Sequence, residues 1–279
     1  MNRLSNKTFE GERALFMSSS LSLSSCVFQD GESPLKESRD LEISSCSFLW
    51  KYPLWYCDNV TCSSSLFSID ARAGIWYTKH AKFDHCDFSA PKLFRKCEDI
   101  SISSTCFPNG EETLWWCENI ALNDVTAKGA YFGMKSRHLM IQRLHLEGGY
   151  CFDGCEDIEI SDSTLLTKDA FWNCKNVVCR YCHIECEYFG WNSENVTLIN
   201  CTIKSHQGFC YMKNIKLIDC KIEESDLIFE YCEDIDATIH SRLGSVKNPI
   251  SGIIRCQGID ELIQDDPNVD HAKTIYETL

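Results

Sequence analysis

Asp157-Ile158-Glu159-Ile160, Asn176-Val177-Val178-Cys179, Asn195-Val196-Thr197-Leu198 and Asn214-Ile215-Lys216-Leu217 repeat one pattern at intervals of 19 residues. A polar marker comes first, and the first and third residues after it are apolar. Outward from this block the marker recurs at Ser20, Asp40, Asn59, His80, Asp99, Asn119 and His138, and once more at Asp234. No interval between markers leaves the range 19 to 21. Such a period marks a solenoid, in which one repeat is one turn and buries its apolar face only against its neighbours.

The alternation after each marker is that of a strand with one buried face. Two more apolar files share the period. One lies eight residues after the marker (Phe28, Phe48, Phe67, Phe88, Phe107), the other five before it (Leu54, Ile75, Phe94, Phe171, Phe209, Phe229). Several short strands per turn and no helical period predict an all-β fold, a single-stranded parallel β-helix of about twelve coils. Right-handed coiling follows the general crossover preference. Asn and Asp suit the marker because they tolerate the left-handed backbone of tight turns, and their stacked amides can bond along the coils.

Residues 1–240 are expected to form the β-helix, and residues 241–279 a C-terminal cap and tail of the same domain. Ser241 to Pro249 lose the period, Ile253-Ile254 can supply a last strand, and Gln264 to Leu279 read as a polar cap or loose tail. A net charge of −14 without a basic stripe argues against nucleic acid as a partner. No run of 18 apolar residues exists, so no membrane span is expected. The 19 cysteines, with no apolar leader before the first repeat, suggest a cytoplasmic protein. They fall in two files. Cys57, Cys97, Cys117, Cys155, Cys174 and Cys232 stand two before the marker. Cys26, Cys46, Cys86, Cys182, Cys201 and Cys220 stand six after it. Such thiols are expected to be buried and inert. Cys179, Cys182 and Cys186 have metal-like spacing, but Cys179 and Cys182 fill ordinary repeat slots. No metal and no other cofactor is expected.

Candidate chemistry lies in the file four before the marker: Trp55, Trp76, Arg95, Trp115, Asp153, Trp172, Trp191 and Glu230. Beside it, three before the marker, stand Tyr77 and Tyr211. A row of exposed aromatics can stack on sugar faces. Equally, neighbouring aromatics on adjacent strands stabilise each other by ~0.2–1 kcal/mol per pair, and such a face can meet another chain. Catalytic candidates are Arg95, Asp153 and Asp169. Asp153 and Glu230 lie roughly 19 Å apart at ~4.8 Å per turn, beyond the ~5–9.5 Å that a glycosidase pair needs. Asp153 and Asp169 lie near ~11 Å. Arg95, beside Lys79, Lys92, Lys96, Glu111 and Glu112, is the best cluster for stabilising an anionic intermediate.

The strings Lys51-Tyr52-Pro53-Leu54-Trp55-Tyr56, Arg72-Ala73-Gly74-Ile75-Trp76-Tyr77, Glu112-Thr113-Leu114-Trp115-Trp116-Cys117, Asp169-Ala170-Phe171-Trp172-Asn173 and Gly190-Trp191-Asn192-Ser193 resemble an uncharacterised bacterial family of unknown function. Gly11-Glu12-Arg13-Ala14-Leu15-Phe16 and Gly31-Glu32-Ser33-Pro34-Leu35-Lys36-Glu37 carry the same likeness. The resemblance spans nearly the whole chain and implies a pectin-lyase-like right-handed β-helix, but no activity. The reading preferred from sequence is recognition of an extended carbohydrate or similar ligand along the Trp55–Trp191 face. The alternatives are a polysaccharide lyase or glycoside hydrolase, and a scaffold or assembly protein. Homo-oligomerisation is compatible with all three.

Overall fold

A computed structural model describes residues 2–279. The chain is an all-β parallel solenoid of about 15 turns. Its helical content among the described residues is the 3-10 turn His271–Lys273. It falls into two compact units, Met1–His145 and Leu146–Leu279.

In the first unit the register stacks Leu21, Leu41, Val60, Ala81, Ile100 and Ile120 in one file. In the second, Ile158, Val177, Val196, Ile215 and Ile235 do the same. All eleven are buried. Equivalent positions of the repeat therefore stack directly, as the period requires. The phenylalanines eight after the marker stack face to face: Phe28 on Phe48 at 4.8 Å and Phe48 on Phe67 at 4.7 Å. Each such buried ring stabilises the fold by roughly 1.5–3 kcal/mol.

All twelve markers, Ser20 through Asp234, adopt φ between 50° and 58°. The left-handed conformation explains the Asn and Asp preference. The ladder of side chains is also present. Asn176 Nδ2 donates to Asp157 Oδ1 at 2.7 Å, Asn195 to Asn176 at 2.9 Å, and Asn214 to Asn195 at 2.7 Å.

Every cysteine but Cys106 is buried. The thiols share their files with hydroxyls and make the same bonds. Thr78, Ser136 and Ser193 accept from the backbone N–H of Cys57, Cys117 and Cys174 in the preceding coil. Ser136 Oγ donates to Leu114 O at 2.7 Å, as Cys97 Sγ donates to Ile75 O at 2.9 Å. These cysteines act as buried donors that bridge coils, which is more than the apolar filler expected of them. Burial pushes the Cys57 thiol up to about 12. Cys182 belongs to one of these files, Cys179 stands in register with Leu198, and Cys186 is buried with them. Among the described residues no group of three or more His, Cys, Asp or Glu is placed to hold a metal.

Both ends carry turns that the marker did not reveal. Asn2–Ser5 pairs with Ser19–Ser24, one coil before Ser20. Gly252–Cys256 pairs with Glu233–Ile239, and Thr274–Thr278 pairs with Gly252–Cys256. Leu243–Lys247 and Ile259–Ile263 form a further parallel pair. The stretch from Gln264 is thus not a loose tail. Its strand was hidden because Thr274 points inward while Ile275 is exposed, which reverses the usual apolar phase. The coil after Asp234 has no Asn or Asp marker, and Gly252 supplies the positive φ of 128° instead. A Cβ there would stand 2.1 Å from Ile235 O, so only glycine fits.

Candidate ligand cleft

The aromatic file divides into two kinds of environment. In the first unit its rings are occupied with one another. Trp55 and Trp76 stack at 5.2 Å with an interplanar angle of 8°. The Arg95 guanidinium lies between Trp76, at 4.7 Å, and Trp115, at 4.6 Å. Each indole N–H also donates to the backbone of the next coil: Trp55 to Ala73 O, Trp76 to Lys92 O at 2.8 Å, and Trp115 to Tyr131 O. Trp76 has one face on Trp55 and the other on Arg95, which leaves neither for a ligand. The expected cationic cluster is likewise engaged. Arg95 and Lys92 both meet Glu112, at 3.3 and 3.1 Å, and Lys79 meets Glu98 at 2.6 Å. Lys96 lies over Tyr77, which itself stacks on Tyr56 at 4.6 Å. Glu111 accepts from the Ala130 N–H at 2.8 Å.

The second unit is different. Trp172 and Trp191 sit 6.4 Å apart and tilted by 49°, so their faces diverge. Trp172 is 37% exposed. Neither indole N–H is hydrogen-bonded among the described residues, in contrast to Trp55, Trp76 and Trp115. Between the rings opens a cleft of about 420 Å³, lined by Tyr150, Lys168, Asp169, Trp172, Tyr188, Gly190, Trp191 and Gln207. That volume falls in the ~300–1,000 Å³ range of small-molecule sites.

Backbone irregularity builds the cleft. The N–H groups of Lys168 and Asp169 converge on Gly149 O, at 2.7 and 3.2 Å. One coil later the N–H groups of Glu187 and Tyr188 converge on Lys168 O, at 2.9 and 3.0 Å. Two donors on one carbonyl are the mark of a bulge, which re-aims the side chains that follow. Tyr150, Asp169 and Tyr188 are thereby placed side by side in successive coils. Gly190 makes the room. It pairs with Phe209, so it occupies the inward position that holds Phe in neighbouring coils, and Phe189 fills the core one residue earlier. A Cβ on Gly190 would stand 3.0 Å from Phe171 O and 3.3 Å from Met212 Sδ.

Asp169 is the polar centre of this cleft. It is 5% exposed, and its Oδ1 is buried with no hydrogen-bond partner. Burial pushes its carboxyl from 3.8 up to about 6; Lys168 works against the shift, and Glu187 and Asp153 add to it. Lys168 makes its ion pair with Glu187, at 3.9 Å, and not with Asp169. Asp153 stands outside the lining, where Asn173 Nδ2 donates to it at 3.5 Å. Glu230 is 7% exposed and held by Gln207 Nε2 and by Lys247 at 2.8 Å. It acts on the cleft only by fixing Gln207. Tyr211 lies against Trp191 at 5.2 Å, tilted by 37°, and extends the aromatic edge toward Tyr231.

A family model described as "Protein of unknown function (DUF3737)" matches residues 2–277. The chain belongs to this family. No curated protein matches it in sequence. Among solved structures it is similar to the crystal structure of PfbA, a surface adhesin of Streptococcus pneumoniae. The likeness covers 100% of this chain and 84% of that chain, at 10% identity and a TM-score of 0.41.

Of the residues singled out by sequence, Asp169, Trp172 and Trp191 come together here, with Tyr211 and Glu230 adjoining. Trp55, Trp76, Tyr77, Arg95 and Trp115 lie in the first unit and Asp153 beside the cleft. Tyr150, Lys168, Tyr188, Gly190 and Gln207 went unrecognised. A signal for them existed: the file seven before the marker reads Tyr131, Tyr150, Asp169, Tyr188, Gln207 in consecutive coils. An acid flanked by two tyrosines in register is a polar group set between aromatic neighbours.

Proposed function

We propose that this protein is a carbohydrate-binding protein whose ligand site is the Tyr150–Gln207 cleft of the second unit. The observation that carries this reading is the combination of divergent indole faces with a buried, unpartnered carboxylate between them. Sugar rings present C–H faces that pack on the electron-rich face of an indole, and hydroxyls that need polar partners. Trp172, Trp191, Tyr150 and Tyr188 supply the rings; Asp169, Gln207 and Lys168 supply acceptors and donors. The cleft suits one or two sugar units at the end or middle of a chain. The first-unit file, whose faces and N–H groups are already engaged, serves stability in this reading. A saccharide array tests it: wild-type protein should bind a discrete group of saccharides, and Trp191→Ala should lose them while keeping its fold. Binding unchanged in Trp191→Ala would overturn the reading.

A catalytic reading has one observation in its favour. A carboxyl raised to about 6 in an aromatic cleft has the character of a general acid. Glu230, committed to Gln207 and Lys247, does not supply a second free carboxylate. Cleavage of a bound saccharide, abolished in Asp169→Asn with binding retained, would establish an enzyme.

A further inference from the structure

The charge around the cleft says more about its ligand than the rings do. Asp169 presents a buried oxygen that no protein donor reaches. The charged and titratable groups around it are the preceding residue Lys168, Glu187, Asp153, and the ring hydroxyls of Tyr150 and Tyr188. Glu230, behind Gln207, is already neutralised by Lys247 at 2.8 Å and adds no free charge. The cation beside Asp169, Lys168, is turned to Glu187 and to the Tyr150 ring, 5.9 Å away. An anionic sugar would meet Asp169, Asp153 and Glu187 with like charge. A neutral sugar would leave a desolvated carboxylate without a counter-charge, which is costly. A cation answers both conditions. Four aromatic rings around a carboxylate also form the setting in which ammonium groups bind best, because ring faces are electronegative.

We infer that the saccharide unit held in this cleft carries a free ammonium group, paired with Asp169 and enclosed by Tyr150, Trp172, Tyr188 and Trp191. The inference rests on the carbohydrate reading above and names the class of sugar within it: an amino sugar with an unsubstituted amine.

The test is calorimetric titration of the full chain with glucosamine oligosaccharides, with their N-acetylated counterparts, and with choline, between pH 5 and pH 7. At pH 7 the free-amine saccharide should bind about tenfold or more tightly than the N-acetylated one. Asp169→Asn should bring the two to the same affinity. In the wild type, affinity for the free-amine saccharide should fall about tenfold from pH 7 to pH 5, as Asp169 takes up a proton. The N-acetylated ligand should show no such fall. Should Asp169→Asn fail to fold, this wild-type pH profile decides alone. Equal or tighter binding of the N-acetylated saccharide, or a preference that survives Asp169→Asn, overturns the ammonium inference and leaves the carbohydrate reading standing. Binding of neither saccharide overturns the ammonium inference, and an array with no bound saccharide at all overturns the reading beneath it. Choline binding as tightly as the amino saccharide removes the sugar from the account.

Discussion

Asp169→Asn should make this protein more stable at neutral pH, and by an amount that grows with pH in a defined window. The carboxyl is 5% exposed, lacks a donor at Oδ1, and is raised from 3.8 to about 6 by burial. A raised acid binds its proton more tightly in the folded state than in the unfolded one. Stability from this group is therefore full at low pH and is lost as pH rises from the unfolded value to the folded one. At ~1.4 kcal/mol per pKa unit, the loss by pH 7.5 is about 3 kcal/mol, and about half of it has occurred by pH 5. Asparagine has nearly the same shape and no charge, so it is spared this loss. Other titrating groups cancel in the difference between the two proteins. Urea denaturation of both, at pH 4, 5, 6 and 7.5, measures that difference. The advantage of Asp169→Asn should increase by about 2–3 kcal/mol from pH 4 to pH 7.5, with little change above pH 6.5. A difference that stays flat across the range would refute the buried, unpartnered carboxylate.

Trp76→Ala should cost about 2–4 kcal/mol, since it removes a stacked ring, a cation–π face for Arg95 and a bond to Lys92 O. Trp172→Ala should cost less than about half as much, and urea midpoints of the two variants compare them directly. Asn195→Ala places a Cβ-bearing, non-bonding residue at φ 58° and breaks the amide ladder, for a loss of about 1–2 kcal/mol by the same assay. Asn195→Gly should recover part of it. A thiol reagent should modify the native protein at Cys106 alone, and slowly because burial raises that thiol, and mass spectrometry after denaturation should find the other thiols newly reactive. Cys57→Ser, which puts a hydroxyl where Thr78 and Ser38 already stand in its file, should change stability by less than about 1 kcal/mol.

The body of the solenoid could be read from the chain because one backbone need recurs in each coil. A left-handed residue at the same point of each turn selects Asn or Asp, and those side chains leave a visible period. The terminal coils escaped because they meet the need by other means. Gly252, in register with Ile235 just past the marker, takes over the positive φ, and in the last strand polar Thr274 holds the inward slot while apolar Ile275 takes an outward one. The cleft escaped for a related reason. The file four before the marker could be recognised as outward from its alternation with the buried file five before. Asp169 and its tyrosine neighbours lie past a bulge, where alternation stops predicting direction. The sequence marks Trp55 and Trp172 with the same letter in the same slot. What separates them is occupancy of ring faces and N–H groups, which depends on residues such as Arg95 and Gly190 in adjacent coils.

The central claim is that the second unit, not the first, holds the ligand. Amide and indole proton–nitrogen spectra recorded during titration with an amino oligosaccharide test it most directly, since each tryptophan gives its own indole signal. The Trp172 and Trp191 signals should shift and saturate together while those of Trp55, Trp76 and Trp115 stay in place. Shifts centred on the Trp55–Trp115 file, or none at Trp172 and Trp191 while the saccharide binds, would contradict it.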